Sequence, residues 1–299
     1  MIYRFIATEK ENHAVARLCR VLRVSRSGFY AWQSRPPAPR LLRDQELARK
    51  IAVVHTDSRR TYGSPRVHAE LQEAGVRVSR RRIARLMREL GIEGVSRRRR
   101  RRTTIPDPAR PPAPDLVERD FTAAAPDQKW FADLTYVPTW EGFLYLAVVM
   151  DAFSRRIVGW SMRDDMKAEL VVDALGMALT LRRPEREGGL IHHSDRGGQY
   201  TSLAVGRTLR ESGIAASMGS RGDAYDNAAC ESVMSTIKCE LVNRRSFKSR
   251  DEARMACFDY IECFYNPRRR HSALGYLSPL EFERRHAEQA AAATQAVAA

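Results

Sequence analysis

Three acidic residues, Asp133, Asp195 and Glu231, stand in segments whose local pattern explains where each one lies. Asp133 falls in a run rich in aromatic and β-branched residues, Asp195 directly follows a short apolar run, and Glu231 sits one turn into a helical stretch. Asp195 and Glu231 are separated by 35 residues. Carboxylates near a nucleic-acid phosphate typically bind Mg²⁺, which completes its octahedron with water and substrate phosphates.

The chain segments that carry these acids predict how they meet. If the first and fourth predicted strands are neighbours, Asp133 and Asp195 project near the same end of a sheet, and a following helix can bring Glu231 over them. Three carboxylates so placed could hold two ions about 3.5–4 Å apart, one for the attacking oxygen and one for the leaving oxygen of a phosphoryl transfer. Asp151, at the end of the second strand, is an alternative ligand that could also face the metal ions.

The residues around Glu231 suit contact with DNA. Lys238 lies seven residues after Glu231 and Asn227 lies four before it, which places them on one helical face. A cation at this position suits contact with a phosphate backbone. Residues 219–226 contain two glycines and are predicted to form a mobile loop that closes on substrate.

Charge is distributed unevenly along the 299-residue chain, whose formal net charge is +15. Residues 1–102 hold 26 Lys and Arg against 9 Asp and Glu, whereas residues 103–299 hold 25 against 27. Such asymmetry indicates a basic part that binds a polyanion and a near-neutral part with another task. Nucleic acid is favoured over a membrane surface, and the longest apolar stretch, residues 143–150, is far shorter than the ~20 residues of a membrane helix.

Residues 12–33 and 64–91 carry the start and stop signals of two helical pairs, as in a helix-turn-helix. In the second pair, Ser79 is a predicted N-cap and Gly91 ends the helix. Arginines lie outside the apolar face of this amphipathic helix, and we interpret four of them as DNA contacts: Arg80, Arg81, Arg82 and Arg85. The alternative is a packed helix with a solvated basic face.

A run of arginines at 97–102 and a proline-rich stretch predict a linker over residues 103–120. Beyond it, strands are predicted over 131–139, 143–153, 156–162, 190–194 and 214–218. Helices are predicted over 167–181, 203–211, 227–242 and 250–264. This order predicts an α/β fold with a mixed five-stranded sheet flanked by helices, preceded by a basic all-α helix-turn-helix region.

The motifs around the three acids resemble a known group. They read Trp-Phe-Ala-Asp133-Leu-Thr-Tyr, His-His-Ser-Asp195-Arg-Gly-Gly-Gln-Tyr, and Asp-Asn-Ala-Ala-Cys-Glu231-Ser running on to Lys238. They are similar to the catalytic core of bacterial insertion-sequence transposases related to retroviral integrases, and most similar to the second-frame protein of insertion-sequence family three. A C-terminal block from Tyr265 to Pro279 resembles that family too, so the likeness spans about residues 12–284.

This resemblance implies an RNase H-like fold, two Mg²⁺ or Mn²⁺ ions, and DNA cleavage and joining at the ends of a mobile element. The implied partners are terminal-repeat and target DNA, further copies of the chain, and an upstream-frame helix-turn-helix protein fused to it or paired with it. We expect a DNA-binding region at 1–102, a linker at 103–120, a catalytic domain with C-terminal helices at 121–285 and a frayed Ala-rich tail at 286–299.

Two other functions fit parts of the sequence. A catalytically silent DNA-binding regulator would need only the basic region, and an RNase H-like nuclease would cut without joining. The basic residues Arg268–Arg270 and His271 either bind DNA or cap the domain, and His192 and His193 are either structural or near the substrate. Without a CxxC pair or zinc-finger spacing, we expect no structural zinc, reduced cysteines and a cytoplasmic protein.

Overall fold

The computed structural model describes residues 1–36, 38–96, 116–117, 120, 122–185, 189–195, 197–218 and 228–298. The strands in this part are β1 (Lys129–Thr139), β2 (Gly142–Asp151), β3 (Ile157–Arg163), β4 (Ile191–Ser194) and β5 (Ala215–Met218). The helices are α1 (Ile2–Glu9), α2 (Val15–Val21), α3 (Arg26–Ser34), α4 (Pro39–Asp57), α5 (Ser64–Glu73), α6 (Arg80–Glu89), α7 (Ala168–Arg182), α8 (Leu203–Glu211), α9 (Ala228–Glu240), α10 (Arg250–Tyr260) and α11 (Pro279–Ala298).

The five strands form one mixed sheet in the order β3-β2-β1-β4-β5. The hairpin-linked strands β1, β2 and β3 pair antiparallel, while β4 pairs parallel with both β1 and β5. Strand alternation sends side chains to both faces, and each face is covered by helices. The predicted α/β fold with a five-stranded sheet is therefore confirmed.

Each sheet face has its own apolar core. On one face, Trp130 of β1 and Val149 of β2 pack with Leu175 of α7 and Val205 of α8. The close approach of α7 depends on Gly159, since a Cβ added there would lie 2.2 Å from the carbonyl oxygen of Ala174. On the other face, the strands pack against helices from the C-terminal half of the chain.

The basic N-terminal region consists of two separate helical groups. Helices α1–α3 enclose a small core of Ile6, Cys19 and Phe29. Helices α4–α6 belong to the same apolar core as α9 and α10, with Ile51 and Ile83 among its buried members. Therefore α4–α6 are docked on the half of the chain that contains the sheet, although residues 103–120 separate the two in sequence and lie mostly outside the described residues.

Two segments differ from the sequence-based expectations. The 19-residue helix α4 lies between the two predicted helical pairs, where no element was predicted, and Pro39 occupies its first turn, where proline is well tolerated. The tail from residue 286, expected to fray, is helical as far as Ala298, in keeping with the high helix propensity of alanine. Across the described part of the chain, every helix is too short or too polar to cross a membrane.

Candidate active site

Asp133 and Asp195 lie side by side where β4 ends, since Asp133 is within β1 and Asp195 directly follows β4. The parallel register of β1 and β4 ends at the pair Ala132↔Ser194, and each aspartate is the next residue on its own strand. Asp133 accepts a hydrogen bond from its neighbour Leu134 N at 2.8 Å, and Asp195 accepts one from Gly197 N at 3.1 Å. The predicted adjacency of the first and fourth strands is thus observed, and it brings two of the three predicted acids together.

Glu231 reaches the same place from α9, in whose first turn it lies. The helix is fixed by its apolar side, where Val233, Met234 and Ile237 are buried in the core beneath the sheet. Glu231 itself is exposed, and its position near a helix N-terminus favours a negative charge. The packing of α9 therefore orients Glu231 toward the strand ends.

The electrostatics show that the three carboxylates share one environment. Burial raises the pKa of Asp133 to about 7, and the negative charges of Asp195 and Glu231 act in the same direction. Burial raises the pKa of the neighbouring Cys230 thiol well above its usual value, and all three carboxylates add to that effect. Unbalanced like charges favour a cation.

The donor set fits a hard divalent cation, because Mg²⁺ and Mn²⁺ prefer carboxylate oxygens. As they stand, however, the described residues contain no group of three or more His, Cys, Asp or Glu side chains gathered closely enough to hold a metal ion. The carboxylates are therefore within electrostatic reach of one another without forming a closed ligand cluster.

Two polar side chains beside this site were not among the predicted site residues. The buried Tyr200 hydroxyl and His192 Nε2 have no hydrogen-bond partner within the described residues. Burial raises the pKa of Tyr200 well above 10, with the charges of Asp133 and Asp195 contributing, whereas burial lowers the pKa of His192 to about 4. Both are neutral at physiological pH. The tyrosine ends the Asp195 motif, so its place in that motif was the available signal.

Lys238 lies on α9 as predicted, close enough for its positive charge to lower the pKa of Asp133. Its ammonium group also stands over the ring of Tyr136, with Nζ 5.2 Å from the centroid. Asn227 and the predicted mobile loop 219–226 lie outside the described residues.

Family models assign most of the chain. An integrase core domain model matches residues 123–224, a second integrase core domain model matches residues 212–279, and an HTH-like domain model matches residues 42–101. The HTH-like match ends at residue 101 and the first integrase core match begins at residue 123, and the predicted linker at 103–120 lies between them.

Curated relatives extend over almost the whole sequence. The chain is 44% identical over 274 residues to the insertion element IS600 uncharacterized 31 kDa protein of Shigella sonnei, covering 92% of this chain and 100% of that protein. It is 39% identical over 288 residues to transposase InsF for insertion sequence IS3A of Escherichia coli K12, covering 96% and 99%. The chain belongs to the insertion-sequence transposase family. The resemblance seen in the motifs is thereby confirmed.

Among solved structures, the HTLV-2 integrase catalytic core domain in complex with magnesium aligns with 54% of this chain and 98% of its own, at 16% identity and a TM-score of 0.39. A likeness of this size is too low to inform function. The assignment to the transposase family depends on the sequence relatives.

Two of the four arginines predicted to contact DNA are engaged within the protein. Arg82 and Arg85 of α6 both form ion pairs with Asp44 of α4, at 2.6 and 2.7 Å. Arg80 and Arg81 are exposed and form no ion pair with any described residue. DNA binding by Arg80 and Arg81 therefore stays a prediction. Arg82 and Arg85 link α6 to α4 through their ion pairs with Asp44.

The C-terminal block supports the domain through its buried residues. Asn266 pairs with Ile157 of β3 through both of its amide atoms, and the Tyr265 hydroxyl donates to Arg155 O. Arg269 and Arg270 are buried and form ion pairs with glutamates. Burial and ion pairing favour domain capping over DNA binding for Arg269 and Arg270. Arg268, in contrast, is exposed.

Asp151 and His193, two other candidates near the site, form hydrogen bonds that support the fold. The buried carboxylate of Asp151 accepts hydrogen bonds from Asp127 N, Ser154 N and the Ser154 hydroxyl, so it fixes the β2–β3 turn. His193 is buried, with Nδ1 2.8 Å from the Ser217 hydroxyl of β5.

Proposed function

We propose that this protein is a DNA transposase of the integrase type, which cleaves DNA at the ends of a mobile element and joins those ends to target DNA. Asp133, Asp195 and Glu231 are the proposed catalytic residues. The observation that carries the proposal is the register of β1 and β4, which ends one residue before each aspartate. Burial raises the pKa of Asp133, and the charges of Asp195 and Glu231 add to this rise. The contribution from Glu231 supports it as the third catalytic residue.

We propose that the three carboxylates hold two Mg²⁺ or Mn²⁺ ions. When bound there, these ions supply charge that stabilises the attacking and leaving oxygens of an in-line displacement at phosphorus. Lys238 neutralises a backbone phosphate beside the carboxylates. Tyr200, whose phenol stays protonated, offers an unpaired O–H donor next to Asp133 and Asp195.

The helical N-terminal region suits the binding of a specific DNA end. Arg80 and Arg81 are exposed on α6, the third helix of the HTH-like segment. Because α4–α6 share a core with the catalytic half, DNA bound there would be held at a fixed distance from the carboxylates. Joining two ends requires two sites, so we propose that the protein acts as a homo-oligomer on DNA, in the cytoplasm at the nucleoid, alone or with an upstream-frame helix-turn-helix protein.

The test is cleavage and joining of labelled duplexes that carry candidate terminal repeats, with Mg²⁺ or Mn²⁺ present. We expect the wild-type chain to expose a 3′-hydroxyl and to produce strand-transfer products on a denaturing gel. Glu231→Gln should lose on the order of 10³-fold or more of both activities, because a metal-holding charge is removed. Glu211→Gln is the matched control, since Glu211 is exposed and pairs only with Arg207 among the described residues.

Three results would contradict this function. Full activity of Glu231→Gln would show that Glu231 is not catalytic and would rule out the proposed site of three carboxylates. Binding of the repeats without any nicking in either metal would favour a silent DNA-binding regulator. Nicking without joined products would favour a nuclease.

A further inference from the structure

The β1–β2 hairpin exposes an unusual number of aromatic side chains. Tyr136 is 51% exposed, Trp140 at the turn is 73% exposed and Phe143 is 49% exposed, while Tyr145 is partly buried. We call these four residues the hairpin aromatic patch. Tyr136 pairs with Tyr145 across the strands, and Phe143 lies two residues before Tyr145, so these three rings share one sheet face. The Tyr136 and Phe143 ring centroids are 4.9 Å apart.

Lysines accompany the most exposed rings of this patch. Lys238 Nζ lies 5.2 Å from the Tyr136 centroid, and Lys248 Nζ lies 5.9 Å from the Trp140 centroid. Within the described residues, neither ammonium group forms an ion pair with a carboxylate. The acids at this end are engaged elsewhere: Glu141 accepts the backbone N–H of Arg250, whose guanidinium also lies 3.9 Å from Asp164.

The patch begins next to the catalytic carboxylates. Tyr136 is three residues beyond Asp133 on β1, which corresponds to about 10 Å along an extended strand. Lys238 joins the two positions, since it stands over Tyr136 while its charge lowers the pKa of Asp133. Strand alternation places the Asp133 and Tyr136 side chains on opposite faces of β1, and Lys238 of α9 is the group that lies near both. A nucleic-acid strand that runs from the carboxylates past Lys238 would therefore reach Tyr136, the first ring of the patch.

We propose that the hairpin aromatic patch stacks unpaired bases of the DNA strand that enters the catalytic site. The inference rests on the proposed function and adds a substrate feature to it, namely a frayed or single-stranded segment beside the cut. Flat rings interleaved with lysines are what single-stranded DNA requires, because the rings stack on bases and the cations neutralise phosphates. A second copy of the chain is a poorer occupant, since an apolar interface would have to desolvate both lysines.

The test compares two fluorescent DNA probes in fluorescence anisotropy: a blunt duplex, and the same duplex with a short unpaired thymidine tail. EDTA is present throughout, so that no strand is cut. We expect Tyr136→Ala and Trp140→Ala each to weaken binding of the tailed probe about tenfold, while binding of the blunt probe changes less than twofold. Tyr136→Phe and Trp140→Phe keep a ring and should retain wild-type affinity for the tailed probe.

Phe258→Ala is the matched control, because Phe258 is 44% exposed and its ring lies against Trp160 of β3, outside the hairpin aromatic patch. Unchanged thermal unfolding temperatures would establish that the alanine variants fold. Equal losses on both probes, or no loss on either, would overturn the proposal. So would a wild-type dimer that the alanine variants convert to monomer while the affinity for the tailed probe stays unchanged. These binding measurements are made without metal, so their outcome does not depend on whether the cleavage assay succeeds. Failure of this proposal and failure of the proposed function can therefore be told apart.

Discussion

Replacing Asp133 by asparagine is expected to abolish metal-dependent DNA cleavage and, at the same time, to make the metal-free protein more stable. The loss of activity follows because a neutral amide holds a divalent cation far more weakly than a carboxylate, and we expect a decrease on the order of 10³-fold or more. The gain in stability follows because the folded protein buries this carboxylate and places it near two other acids. Cleavage assays and urea denaturation in EDTA measure the two effects.

The sign of the stability change follows from proton linkage. Burial, followed by the charges of Asp195 and Glu231, raises the pKa of Asp133 from 3.8 to about 7 in the folded protein. Between about pH 4 and 7 the folded state binds more protons than the unfolded state, so this group's contribution to stability falls as pH rises through that window. Asp133→Asn should therefore gain about 1–3 kcal/mol at pH 8, and its advantage should shrink toward pH 4.

Asp251→Asn provides the control for this variant, since the Asp251 side chain is 88% exposed and pairs only with its helix neighbour Arg254 among the described residues. We expect it to stay within about 0.5 kcal/mol of wild type and to keep full activity. A stable Asp133→Asn protein that still cuts DNA would remove Asp133 from the catalytic set. A variant that is destabilised at pH 8 would mean that the carboxylate supports the fold.

The sheet could be predicted because its strands carry local signals. Aromatic and β-branched runs separated by turn residues marked the strands, with Asp133 within the first and Asp195 directly after the fourth, so the two acids would meet if those strands were neighbours. The structure pairs those strands and ends their register one residue before each aspartate. In contrast, α9 brings Glu231 close through burial of Met234 and Ile237, which depends on partners that no local pattern specifies.

The arginines show where a charge pattern is insufficient. Arg82 and Arg85 fitted a DNA-binding face by spacing, but Asp44, on a helix that was not predicted, pairs with both. Likewise, Arg269 belongs to a basic cluster in sequence, yet its side chain is 3% exposed. Local sequence reveals how many cations a segment holds, whereas burial and ion pairing depend on contacts between residues that are far apart in the chain.

Those distant contacts connect the HTH-like helices to α9, the helix that carries Glu231. Glu240, the last residue of α9, accepts two hydrogen bonds from Arg269, both at 2.7 Å, and one from the Tyr260 hydroxyl at 2.8 Å. Arg66 of α5 lies 3.6 Å from the same carboxylate. Burial raises the pKa of Glu240, but the hydrogen bonds and charge of Arg269 outweigh burial and lower it. Glu240 is therefore a charged group on which three parts of the chain converge.

Arg269→Ala is expected to destabilise the protein by about 3–5 kcal/mol, because it leaves the buried Glu240 carboxylate without its main partner. Urea denaturation at pH 7.5 measures the change. The double variant Arg269→Met/Glu240→Gln removes both charges and should recover at least half of the lost stability, because no buried carboxylate is left without its main partner. Arg66, which loses the weaker contact with Glu240, is 22% exposed and keeps its hydrogen bond to Arg270 O. Cleavage by Arg269→Ala should fall as well, because α9 carries both Glu231 and Lys238.

Arg207→Ala is the matched control, since it breaks an ion pair between side chains that are 76% and 63% exposed. Exposed pairs of this kind contribute about 0–1 kcal/mol, so the difference between the two arginine variants isolates the effect of burial. If Arg269→Ala unfolds like wild type but binds DNA more weakly, Arg269 contacts DNA and the capping role is wrong. If the double variant is no more stable than Arg269→Ala, the loss arises from packing of the arginine side chain, and the buried charge of Glu240 does not account for it.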